Sequence, residues 1–191
     1  MIIIALVGPS GSGKSHRASM VADRYLADAI LDDGLLIVDG RIVAGQSAKR
    51  EVTRMAAVKR AILLDPEHAQ DIRQALAQSG PSRLLVLGTS RNMISKILSG
   101  LHLEDALVEW VAIEELASAK EIESAKRERI QEGKHVIPAP TLEVRKTFSG
   151  YLVAPLHAYS CPPAVFISES AIRRAFTVTS TTVKEVVSSI H

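Results

Sequence analysis

The chain opens on an apolar run, Ile2-Ile3-Ile4-Ala5-Leu6-Val7, that leads straight into Gly8-Pro9-Ser10-Gly11-Ser12-Gly13-Lys14-Ser15. An aliphatic run without polar alternation reads as a strand buried on both faces, which calls for helices on either side of a sheet. After Lys14 the period changes. Ala18, Val21, Ala22 and Tyr25 recur at i, i+3, i+4 and i+7, the stripe of a helix that faces a core. Between strand and helix, the glycines let the backbone turn tightly, so that successive N–H groups point at one centre. The N-terminus of the helix adds unpaired N–H groups and the positive end of its dipole. The stretch therefore predicts an α/β chain with an anion site at the end of its first strand.

The loop has the spacing G-x-x-x-x-G-K-[ST], and on these residues the chain resembles the P-loop nucleotide-binding proteins. The resemblance implies that Gly8, Pro9, Ser10, Gly11, Ser12, Gly13, Lys14 and Ser15 cradle the phosphates of a nucleoside triphosphate. Lys14 would reach the β- and γ-phosphates, and the Ser15 hydroxyl would ligate Mg²⁺. The expected cofactors are ATP and Mg²⁺. The expected fold is a three-layer P-loop NTPase fold with a mainly parallel central sheet.

Downstream, Ala29-Ile30-Leu31-Asp32-Asp33-Gly34 is a short apolar step ending in carboxylates. Leu35-Leu36-Ile37-Val38 and Arg41-Ile42-Val43-Ala44 flank Asp39-Gly40, which predicts a tight hairpin over residues 35–44. Leu35–Asp39 also fits the loose pattern of a Walker B strand, but the turn accounts for both Asp39 and Gly40. Asp65-Pro66-Glu67 reads as an N-cap followed by proline at the first helical position. Val52, Met55 and Ala56 suggest a helix over Ser47–Lys59, with a basic face that is solvated or contacts phosphate. Leu84–Gly88 is a buried strand ending in Thr89-Ser90-Arg91. There Ser90 caps the next helix, or a polar group senses a γ-phosphate; the sequence leaves both open. Val108–Ile113 is the last strand of the main sheet. The charged helix after it, Ser118–Gln131, is a solvated helix or a lid bringing Arg127 or Arg129 over the phosphates.

The composition changes at Pro138. Residues 138–191 hold five of the eight prolines and five of the seven aromatics. An aromatic, proline-punctuated stretch is unlike a flexible linker. The expected organisation is a nucleotide-binding domain over residues 1–137 and an ordered extension over 138–191. That extension ends in a strand at Phe176–Val178 and a helix bearing Val183, Val186, Val187 and Ile190.

A formal charge of +2 gives no argument for nucleic acid or an anionic membrane. Cys161 is the one cysteine, which suits a reducing cytosol, and the expected localisation is cytoplasmic. Asn92 is the one asparagine and does not begin the N/T-K-x-D motif with which GTPases read guanine. The LSGGQ signature of ABC ATPases does not occur.

The remaining resemblance is to the small nucleoside- and shikimate-kinase-like P-loop proteins, in which the strand after the first helix ends in acids. It implies that Asp32 takes part in holding Mg²⁺, that Asp33 orients an acceptor hydroxyl, and that an arginine such as Arg127 offsets developing charge. Lys14, Asp33 and Arg127 are thus the expected catalytic set. A narrower resemblance rests on Ile30–Ile37, Leu87-Gly88-Thr89-Ser90 and Gly133–Pro138. These stretches look like clostridial P-loop proteins whose ATPase-like part can precede an alkaline-shock (envelope stress-response) domain. Arg173–Val178 looks like the opening of that domain. The expected activity is phosphoryl transfer to a small-molecule acceptor; the alternative is a nucleotide-dependent ATPase or switch acting on a protein partner in stress response.

Overall fold

The computed structural model describes residues 1–132, 134–139, 151–153 and 164–167. Strand β1 (Ile2–Val7) passes through the glycine-rich loop into helix α1 (Lys14–Tyr25). A meander of β2 (Ala29–Asp32), β3 (Leu35–Val38) and β4 (Arg41–Gly45) follows. A 3₁₀ turn at Ala48–Arg50 then leads to helices α2 (Arg54–Ala61) and α3 (Pro66–Ser79). Next come β5 (Arg83–Gly88), α4 (Arg91–Gly100), β6 (Leu107–Ala112) and α5 (Ala119–Glu132). Finally β7 (Lys134–Ile137), β8 (Tyr151–Val153) and β9 (Ala164–Ile167) pair antiparallel in the order β7-β9-β8.

The main sheet has the order β4-β3-β2-β5-β1-β6. The pairs β1–β5, β1–β6 and β2–β5 are parallel, and β2–β3 and β3–β4 are antiparallel. The chain is therefore α/β with a mixed sheet of mostly parallel strands. Strand alternation divides the apolar residues between two cores. Ile4, Leu6, Leu85 and Leu87 pack with Ala18 and Val21 of α1 and Ile122 of α5. Ile3, Ala5, Leu84 and Val86 pack with Ile72 and Leu76 of α3 and Ile94 and Ile97 of α4. Helices cover both faces, which is why β1 and β5 carry no polar alternation. Each fully buried Leu or Ile contributes about 1.5–3 kcal/mol relative to exposure.

The meander turns twice on Asp-Gly. Asp39 and Gly40 have φ of 49° and 71°, and the expected hairpin is present. Asp33 and Gly34 have φ of 48° and 83° and make the same kind of turn between β2 and β3. Positive φ at both central residues is the type I′ signature. Asp32 thus lies at a strand end and Asp33 in a turn that was not expected from the sequence, although its Asp-Gly dipeptide is the same.

The helix expected over Ser47–Lys59 is a correction. A 3₁₀ turn ends at Arg50, Glu51 is extended, and α2 starts only after the Thr53 cap. Val52 is 99% exposed and Met55 70% exposed, so the predicted apolar stripe faces outward. Tertiary contacts decide the matter: Ala48 N–H donates to the Asp33 carbonyl at 2.8 Å, which draws the segment back onto the turn. A helix this short has little stability of its own to resist that pull.

Ile137 and Ala139, on either side of the expected boundary, are both buried in the α1-side core. The strand expected at Phe176–Val178 and the valine-rich helix after it lie outside the described residues. Among the described residues no helix is long and apolar enough to cross a membrane.

Candidate functional site

The loop between β1 and α1 is built by steric exclusion. A Cβ on Gly8 would lie 2.3 Å from Ile113 Cγ2, so the backbone there sits closer to its neighbour than any side chain allows. Gly11 and Gly13 have φ of 77° and 86°, conformations that favour glycine. Gly13 is the N-cap residue of α1 and supplies no side-chain cap. In α2, α3, α4 and α5 the corresponding N–H groups are taken by Thr53, Asp65, Ser90 and Ser118. The first turn of α1 therefore keeps N–H groups that a helix cannot satisfy internally. Lys14 folds back over the loop, its Nζ donating to the carbonyls of Gly8 at 2.7 Å and Pro9 at 2.8 Å. Ser12 is fully buried, and its Oγ finds no hydrogen-bond partner among the described residues.

The ends of β1 and β2 come together through side chains. Ser15 Oγ donates to Asp32 Oδ2 at 2.7 Å. Lys49 Nζ donates to the same Oδ2 at 3.1 Å and pairs with Asp33 Oδ2 at 3.0 Å. Its third contact is the Val136 carbonyl of β7, at 2.7 Å. Burial alone would push the Lys49 ammonium down, but the two carboxylates more than offset it and hold its pKa above the ordinary lysine value. Burial pushes Asp32 up, against the opposing pull of Lys49; Asp33 adds to the rise.

The Asp33–Gly34 turn is locked from α3. His68 Nε2 lies 2.9 Å from the Gly34 carbonyl and 3.0 Å from the Gln46 amide. Any Cβ on Gly34 would meet His68 at 2.9 Å, and one on Gly45 would meet the Gly34 carbonyl at 2.2 Å. Glycine at both positions is what lets the histidine ring and the β4 backbone close on the turn.

Part of this set lines a cavity of about 540 Å³, a size typical of small-molecule sites. The loop contributes Ser10, Gly11, Gly13, Lys14 and Ser15, the meander Asp32 and Asp33, and β7 Val136. Leu87, Gly88, Thr89 and Met93 form the β5–α4 wall. Thr89 lines the cavity, while Ser90 caps α4 through Met93 N–H at 3.2 Å. Gly8 and Ser12 are buried under the loop, and Pro9 is on its outer, exposed side.

Helix α5 also borders the cavity, with Glu121, Ser124, Ala125 and Glu128. Arg127 is exposed and is not among the lining residues, so the expected arginine is not brought to the loop. The side chain of Arg129 lies outside the described residues. The cationic side chains beside the loop are instead Lys14 and Arg17, and Arg17 is paired with Glu121 at 2.9 Å. Lys49 and Arg17 were not singled out by sequence reasoning. Lys49 resembled any other member of a basic stretch, and a partner 17 residues away leaves no local pattern.

Comparison with protein-family models, curated proteins and solved structures gives no match to this chain.

Proposed function

We propose that the chain binds a nucleoside triphosphate, ATP in the first instance, as its Mg²⁺ complex, and that its α/β fold is of the P-loop NTPase type. The observation that carries this reading is the uncapped start of α1, wrapped by a loop with glycines at positive φ and facing a cavity. A helix start without a side-chain cap favours an anion through its inward N–H groups and its dipole. Lys14 would exchange its loop carbonyls for phosphate oxygens.

Among the described residues there is no group of three or more His, Cys, Asp or Glu arranged to hold a metal by themselves. Mg²⁺ needs no such cage, because it commonly takes one or two carboxylates, retained waters and substrate phosphates. The hydroxyl of Ser15 and the carboxylate of Asp32, 2.7 Å apart, are hard oxygen donors that fit this role. When bound, the metal supplies charge neutralisation at the phosphates. Asp33 also lines the cavity and would orient an acceptor hydroxyl, so phosphoryl transfer to a small molecule is the reaction class we favour.

A second reading, a nucleotide-dependent ATPase or switch, is favoured by one contact. Lys49 ties the Asp32–Asp33 pair to the Val136 carbonyl of β7, the strand that pairs with β9. A change at the phosphates would thus have a direct route to residues beyond the main sheet, and from there to a protein partner.

The test is a thermal-shift panel of nucleotides with and without Mg²⁺, run on the full chain and on Lys14→Ala. ATP–Mg²⁺ is expected to raise the melting temperature, and Lys14→Ala to lose at least about a hundredfold in affinity. No shift with any nucleotide would sink the reading. Acceptor-dependent ADP formation, abolished in Asp33→Asn, supports the phosphotransferase; phosphate release without acceptor supports the switch.

A further inference from the structure

Lys49 is the buried charge that the phosphoryl-transfer roles leave unused. Its side chain is 4% exposed, and its backbone is hydrogen-bonded as well. Lys49 N–H donates to Ser47 Oγ at 3.1 Å, and the neighbouring Ala48 N–H donates to the Asp33 carbonyl. Asp32 Oδ2 accepts from both Lys49 Nζ and Ser15 Oγ. It is also the oxygen nearest the hydroxyl assigned above to Mg²⁺. A cation belonging to the chain and a cation from solution therefore compete for one carboxylate. Lys49 need not leave when Asp32 turns to a metal, since Asp33 and the Val136 carbonyl still hold it. It stays as a like charge beside the metal.

We propose that Lys49 is a positioning residue, a tethered counter-ion to Asp32 and Asp33 that makes divalent-metal binding conditional on the triphosphate. Free Mg²⁺ meets a carboxylate pair already neutralised in part by the ammonium. Metal carried by a nucleoside triphosphate brings compensating negative charge, and Lys14 and the helix end hold that charge. The site thereby selects the metal–nucleotide complex over the bare ion. This inference rests on the reading of Ser15 and Asp32 as the metal side of the site.

The experiment counts free Mn²⁺ by electron paramagnetic resonance during titration of the full chain, Lys49→Met and Lys49→Arg. Each is titrated with and without ATP, with protein-free ATP as reference. Lys49→Met is expected to bind Mn²⁺ in the absence of nucleotide at least about tenfold more tightly than the wild type. Lys49→Arg, which keeps the charge, is expected to behave as the wild type; a gain of Mn²⁺ in Lys49→Arg equal to that in Lys49→Met overturns the inference. Equal Mn²⁺ affinity in Lys49→Met and the wild type overturns the inference. Where Lys49→Met does not melt cooperatively, Lys49→Met/Asp33→Asn removes one charge of each sign and is read against Asp33→Asn alone, with the same gain expected. The two readings fail separately. If ATP changes neither Mn²⁺ uptake nor melting while Lys49→Met still gains Mn²⁺, the nucleotide reading falls, and of the inference only the competition of Lys49 with metal for Asp32 stands. If ATP binds normally and Lys49→Met gains nothing, the counter-ion alone falls. Absence of Mn²⁺ binding in every variant overturns both.

Discussion

Strands β1 and β5 lie side by side and run parallel; Gly8 follows β1 and Gly88 ends β5, and each chain segment then passes into a helix. Gly8 N–H even donates to the Gly88 carbonyl at 3.2 Å. Beyond that point they diverge. After β5 the chain satisfies itself: Ser90 Oγ takes an α4 amide, and Met93 sulfur lies 3.3 Å from both the amide and the hydroxyl of Thr89. After β1 it does not, because Gly13 brings no side chain to the start of α1. Two adjacent helix starts thus face one cavity, one with a side-chain cap and one without. On the proposed reading, an anion would be held from the β1 side, with the β5 side as a neutral wall.

The largest expected contrast lies at the two glycines. Gly8→Ala forces a Cβ to within 2.3 Å of Ile113 Cγ2 and 2.8 Å of its Cβ, atoms close to the backbone that have little room to yield. A loss of about 3 kcal/mol is expected in urea unfolding. In Gly88→Ala the nearest atom is Ile94 Cδ1 at 2.6 Å, the far end of a flexible side chain, and about 1 kcal/mol is expected. Equal costs at the two positions would remove the steric argument for Gly8. A smaller effect comes from the caps. Ser90→Ala should cost about 1 kcal/mol of stability and leave nucleotide affinity unchanged. A parallel loss of affinity would show that the β5 side is not a neutral wall. Smallest is the change at Glu121, whose carboxylate is exposed and holds Arg17 beside the loop. Glu121→Gln releases that guanidinium and is expected to tighten ATP by about threefold in low salt, with the gain fading as salt rises. Weaker binding would mean that the carboxylate itself contributes to the site.

The parts legible from sequence were those whose signal is local. The glycine-rich loop, the apolar strands, the Asp39–Gly40 turn and the Asp65–Pro66 helix start are each written within a few residues, and each is present. Asp32 does meet Ser15, and Asp33 lines the same cavity, because a strand that ends in acids carries them to the same edge of the sheet as the loop. What was not legible depended on residues far apart in the chain. Lys49 reaches both Asp32 and Val136, the latter 87 positions away. Arg17 meets Glu121 across 104. The basic residues of α5 drew attention to Arg127, yet which side of that helix lies over the cavity is decided by how Ile122 packs into the core. Charge alone carries no such phase information.

The histidine that locks the Asp33–Gly34 turn gives the site a sensitivity to protons. Burial holds the His68 pKa below its usual 6.5, an effect only partly offset by the Gly34 carbonyl. The unfolded chain therefore takes up this proton before the folded one does, and stability falls as pH drops below about 6.5 toward the lowered value. Above that window the contribution is complete. The Gln46 amide, held against the same ring, is the expected reporter, with faster hydrogen exchange at acid pH than the amides of β1. Mild acid would then loosen the Asp33–Gly34 turn and its carboxylate before it disturbs the glycine-rich loop, so that the two ends of one cavity would give way at different pH.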